Sequence, residues 1–152
     1  MTSIDAAADQ PAAFAHIAGE FAFLDEWDDR YRYIIELGRE LPPLDETLRT
    51  DQNKVKGCVS QVWLSASANS DNDADPTLTF HADSDAQIVK GLVYIALTLF
   101  NGRRASEILT TDAMAQLASI GLDKQITPQR NNGLRSMVER AQELARQSQL
   151  SN

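Results

Sequence analysis

The stretch "GCVSQVWLSASANSDNDADPTLTFHA" (residues 57–82) decides the architecture, because within it the apolar period is two. Ser60, Val62, Leu64 and Ala66 share one face, with Gln61, Trp63 and Ser65 on the other. Farther on, Leu78 and Phe80 oppose Thr77, Thr79 and His81. Such alternation predicts half-buried strands, and the acidic, turn-rich "SANSDNDAD" (67–75) predicts the connection between them. With a short β-favouring run before Gly57, the expectation is strands near 54–57, 60–67 and 77–82. They would form a small antiparallel sheet of about three strands with one face packed by helices.

Outside this stretch the period is helical. Phe14, Ile17, Ala18, Phe21 and Leu24 form one stripe, and Trp27, Tyr31, Ile34, Ile35 and Gly38 a second, ended by Pro42-Pro43. The segment 83–102 predicts a central buried helix, with Ser84 and Gln87 as a capping box and Asn101-Gly102 as its stop. Two short helices are expected near 104–110 and 112–119. A last one starts at "TPQR", with Thr127 as cap and Pro128 in the first turn. Helices, then strands, then helices make an α+β domain over residues 13–148, preceded by a loose Ala-rich leader, 1–12.

Composition narrows the chemistry. A net charge of −8 and the lack of a basic stripe speak against nucleic acid, which is held by neutralising phosphates. The longest apolar run, "GLVYIALTLF" (91–100), is far short of the roughly 20 residues that span a bilayer. No secretory signal is expected at the start, so a cytoplasmic location and no membrane partner are expected. One cysteine permits no internal disulfide, and with two histidines it falls short of the about four ligands of a structural zinc or iron–sulfur site. No metal and no cofactor of its own are expected.

The lone thiol, Cys58, has two readings. A free cysteine is often a small buried hydrophobe. Against that, Gly57 predicts a tight bend that places the thiol at a strand junction. Lys54 and Lys56 are near enough to favour a thiolate. Strand parity through the bend would put Cys58 on the core face, sheltered at the rim. A Cys–His hydrolase would need His81, whose alternation points it the other way, and a peroxidase of the two-cysteine kind would need a resolving thiol. Sulfur exchange, with the thiol as a way-station, remains.

The block "VKGCVSQVWL" (55–64) resembles the signature of the SufE family (Fe–S metabolism-associated domain), Gly-Cys-x-Ser-x-Val-Trp. It is met by Gly57, Cys58, Ser60, Val62 and Trp63. "RYRYIIELGRELPPL" (30–44), "DSDAQIVKGL" (83–92) and "RNNGLRSMV" (130–138) are similar to the other family blocks, in order. The resemblance implies a SufE/IscU-like α+β fold without the IscU ligand set. It also implies a sulfur acceptor, not an enzyme by itself, for a SufS-type or CsdA-type cysteine desulfurase that uses pyridoxal phosphate. Cys58 would take the persulfide sulfur, stimulate the desulfurase and pass the sulfur to the Fe–S scaffold of the Suf system.

Asp83, Ser84 and Asp85 read as a helix start, and the resemblance adds Asp85 as a residue that sets the resting place of the cysteine loop. Arg130 stands in the first turn of a helix, where the dipole disfavours a cation, so it calls for a partner: the loop, the persulfide or the desulfurase. Trp63 reads as packing, the acidic 69–75 loop as a solvated turn, and Arg103-Arg104 carries no assignment. Two other readings stay open: a thiol-dependent peroxidase, and an interaction module with an inert thiol.

Overall fold

A computed structural model describes residues 11–69 and 74–150. The order is α1 (Ala12–Phe23), α2 (Trp27–Gly38), a 3-10 turn (Glu46–Leu48), β1 (Val62–Ala68) and β2 (Leu78–Ser84). After these come α3 (Gln87–Leu97), α4 (Ala105–Thr110), α5 (Ala113–Ser119), α6 (Leu122–Gln125) and α7 (Pro128–Leu150). The fold is α+β, as expected. Most of the expected leader, and residues 70–73 of the acidic loop, lie outside the described residues.

The alternation reads through to the sheet. β1 and β2 pair antiparallel with Val62 opposite Ser84, Leu64 opposite Ala82 and Ala66 opposite Phe80, the face that carries the core. The third strand is a correction: near 54–57 there is only a single bridge, Lys54 to Trp63. The Val55 amide donates to the Val62 carbonyl at 2.8 Å and the Leu64 amide to the Asn53 carbonyl at 2.8 Å, before the Lys56–Gly57 turn leads the chain away. On the outer side of β2, the Leu78 amide donates to the Arg103 carbonyl at 3.0 Å and the Gly102 amide to the Leu78 carbonyl at 2.8 Å. Trp63 belongs to the outward face, yet it is buried because the Arg49 guanidinium covers it, 5.1 Å from a ring centroid.

α3 is the central element, burying Ile88, Leu92, Ile95 and Ala96 and packing on α2, β2 and α7. It begins later than its pattern predicts, because Ser84 closes β2 instead of capping a helix. The Ser84 hydroxyl donates to the Gln61 carbonyl at 2.7 Å, and the N-cap position falls to Ala86. The helix also ends earlier than expected, at Leu97 with Thr98 as its C-cap, and turns carry the chain on to Gly102, whose φ is 76°; Asn101 Oδ1 accepts from the Phe80 amide at 2.7 Å. At α7 the Thr127 hydroxyl accepts from the Arg130 amide at 3.2 Å and Pro128 is the first helical residue, which fits the predicted start.

α1 buries Phe14, Ile17 and Phe21. The second stripe holds at Ile34 and Gly38 but not at Trp27, which is 54% exposed and stacks on Tyr31 at 5.2 Å. Among the described residues no helix is long and apolar enough to cross a membrane, and no group of three or more His, Cys, Asp or Glu residues could hold a metal ion.

Candidate functional site: a thiol on a short flap

Cys58 sits on a flap whose two stems are fixed and whose tip is not. One stem ends at Val55, buried and bonded to Val62. The other ends at Gln61, which Asp85 grips. Asp85 Oδ1 accepts from the Gln61 amide at 3.1 Å and Oδ2 from the Gln61 side-chain amide at 3.4 Å. The Asp85 amide in turn donates to the Gln61 carbonyl at 3.3 Å. Between these stems, residues 56–60 add no close backbone hydrogen bond. What holds the tip is the α7 surface: the Cys58 thiol donates to the Gly133 carbonyl at 3.5 Å, a long and weak contact.

Two glycines make this seat. Gly57 has φ 94°, a conformation that side chains with a Cβ rarely adopt, and it turns the thiol inward over α7. A Cβ on Gly57 would also stand 2.7 Å from Ser136 Oγ. Gly133 supplies the floor, where a Cβ would already touch the thiol sulfur at 3.4 Å. Gly133 was not singled out from the sequence, although a glycine inside a helix costs about 1 kcal/mol against alanine and so signals a close approach.

Beside the thiol lies a cavity of about 230 Å³. Val62, Val89, Leu92, Val93, Leu134 and Met137 wall it, and Thr127, Gln129 and Arg130 rim it. Arg130 is half-buried, and among the described residues its guanidinium pairs with no acid. Ser60 joins the lining, and Val59, next to the thiol, is 83% exposed. Cys58, Gly57, Ser60 and Arg130 thus meet at one place, whereas Asp85 stands behind it and acts on the stem. His81 is exposed on the outer sheet face, with its Nε2 3.3 Å from the Ser67 hydroxyl, and His16 is beside Glu20 at 4.0 Å; neither lines the cavity.

The electrostatics correct one expectation. Burial pushes the Cys58 thiol above its ordinary pKa, because a thiolate in this seat loses solvation. The lysines do not offset this: Lys54 faces Asp51 at 3.9 Å, and Lys56 is exposed. The resting thiol is therefore protonated at neutral pH, and ionisation as pH rises favours its leaving the seat. Alkylation of Cys58 by iodoacetamide, followed against pH, is expected to have its midpoint above that of a free peptide of residues 54–62. Coincident curves would show that the seat does not desolvate the sulfur.

The chain is similar to known proteins over most of its length. The family model of the SufE Fe–S metabolism associated domain matches residues 15–145. An uncharacterized SufE-like protein of Rhizobium meliloti is 53% identical over 140 residues, covering 92% of each chain. One of Rhizobium etli is 50% identical over 135 residues, covering 89% of this chain and 90% of its own. In structure, a hypothetical protein from Thermus thermophilus solved in solution superposes with a TM-score of 0.73 at 18% identity. That match covers 93% of this chain and 98% of the other, so the two share a fold. With the signature cysteine on its flap and the family model spanning nearly every element, the chain belongs to the SufE family of Fe–S metabolism associated domains.

Proposed function

We propose that this protein is a sulfur carrier that relieves a SufS-type or CsdA-type cysteine desulfurase of its persulfide, speeds that enzyme's turnover and hands the sulfur on for Fe–S cluster assembly. The observation that carries the reading is the half-buried thiol on a flap of five residues, 56–60, beside a cavity with the Arg130 cation at its rim. In the transfer step, Cys58 loses its proton to solvent or to the desulfurase site and attacks the terminal sulfur of the enzyme's persulfide. A new S–S bond forms on Cys58, the enzyme's own S–S bond breaks, and the enzyme's cysteine leaves as the thiolate. Nothing is oxidised overall, so no external oxidant is needed. The pyridoxal phosphate belongs to the desulfurase; this chain supplies only the acceptor.

Each part of the site has a task in this scheme. The flap carries Cys58 out to the partner's persulfide, with its stems fixed by Val55 and by Asp85 on Gln61. Once loaded, the flap closes and the outer sulfur enters the apolar cavity, where reductants reach it poorly. A persulfide is more acidic than a thiol, and Arg130 at the rim stands where it can balance the charge.

Intact-mass spectrometry after incubation with a cognate desulfurase and L-cysteine tests the proposal. Wild type is expected to gain one sulfur, about 32 Da, removable by dithiothreitol, and Cys58→Ser none. A wild type that stays unmodified while the desulfurase turns over would refute it. A Cys58→Ala protein that stimulates the desulfurase as well as wild type would establish an interaction module instead.

A further inference from the structure

A second cavity, of about 410 Å³, opens where the end of α2 meets the start of α3, and it shares no lining residue with the thiol cavity. Its charged lining is three cations, Arg39, Arg49 and Lys90, and one acid, Asp83. One carboxylate offsets one cation, so the cleft holds a surplus of two positive charges in a chain whose net charge is −8.

The hydrogen-bonding capacity is equally one-sided. Asp83, with 8% of its side chain exposed, is already engaged by Arg49, by Lys90 at 3.4 Å and by the Ser84 amide at 2.8 Å. Unused donors remain. Arg49 Nε is buried and lacks a hydrogen-bond partner; its neighbour Glu46 is 3.9 Å away and 92% exposed, too solvated to count for much. The Arg39 side chain makes no ion pair or hydrogen bond among the described residues, and Lys90 spends one of three donors on Asp83. Stacking of Arg49 on Trp63 accounts for Arg49 as a structural residue, but not for Arg39 or for the vacant Nε.

A concave surface with several spare charged donors and, beside the engaged Asp83, only the Gln87 amide oxygen as a side-chain acceptor suits an acceptor-rich anion. Its volume is within the range of small-ligand sites, about 300–1,000 Å³, and Ile35, Leu41, Pro42 and Pro43 give it an apolar wall. We propose that this cleft binds a small organic anion whose carboxylate or phosphate group is held by Arg39, Arg49 and Lys90, with its hydrocarbon part against the prolines. The site is separate from sulfur transfer and stands whether or not Cys58 carries sulfur.

The test is an amide-resolved NMR titration of the full chain with succinate and, separately, inorganic phosphate, at ionic strength held constant with sodium chloride. Saturable shifts at Arg39, Gln87 and Lys90 are expected, and the probe that saturates at the lower concentration identifies the head group. Arg39→Gln, an exposed change that touches no core, is expected to weaken binding about tenfold and to leave Cys58 alkylation as in wild type. Shifts that sodium chloride reproduces, that never saturate, or that Arg39→Gln leaves unaltered would overturn the proposal.

Discussion

Replacing Gly91 with alanine is expected to lower the melting temperature by about 10 °C, the consequence of losing about 3 kcal/mol. A Cβ at this position would overlap the Ile34 carbonyl oxygen and lie 2.6 Å from Ile34 Cγ2. Gly38 faces it from α2, where a Cβ would come within 2.8 Å of the Gly91 nitrogen. Both obstacles are largely backbone, so no rotamer change can make room, and the two helices must separate. Separation would disturb the best-buried part of the molecule, because Ile34, Leu92, Ile95 and Ala96 are all at most 2% exposed. Differential scanning calorimetry reads the effect directly; a melting temperature within a degree or two of wild type would mean that the helices have slack at this crossing. α3 also supplies Val89, Leu92 and Val93 to the thiol cavity, so this contact fixes the wall against which sulfur would rest.

Gly57→Val is expected to do the reverse: a large effect on the thiol and a small one on the fold. A β-branched residue at φ 94° is strained by on the order of 2 kcal/mol. The nearby Ser136 hydroxyl, 2.7 Å from the added Cβ, can rotate away, so the backbone term dominates. The flap is tied to α7 only weakly, and it can release this strain by opening without unfolding the core. Alkylation of Cys58 at neutral pH is then expected to accelerate about 30-fold, the equivalent of 2 kcal/mol in the opening equilibrium. The melting temperature should fall by less than in Gly91→Ala, and a sulfur loaded onto Cys58 should be lost sooner to dithiothreitol. A large drop in melting temperature with unchanged alkylation would show that the flap and the core move as one.

These two glycines also mark where reading the chain stops being local. Short-range signals carried over well. Thr127-Pro128 starts α7, the two short helices fall at Ala105–Thr110 and Ala113–Ser119, and the two alternating runs pair edge to edge with their apolar faces on one side. Ser84 misleads because its hydroxyl has a better partner, the Gln61 carbonyl across the sheet, which no local pattern encodes. The expected strand at 54–57 fails because the turn at Lys56–Gly57 ends the ladder after one bridge. Cys58 and Arg130 could be suspected one by one, but the cavity they share depends on how α7 packs against β1. The thiol's protonation is a matter of burial, and the adjacent lysines pointed the wrong way.

The covered margins of the hairpin limit how any partner can approach. A ribbon of only two strands would ordinarily offer both its borders to a third. Here residues 53–55 occupy one border along Val62–Leu64, and residues 101–105 occupy the other beside β2. What is left, residues 65–68 of the first border and 81–84 of the second, is two stretches each shorter than an ordinary strand of about five or six residues. Recognition by strand addition, and self-association into stacked ribbons, have little edge left to use. A desulfurase docking as proposed would have to engage helix surfaces and the flap itself, which are the parts that bring Cys58 into reach.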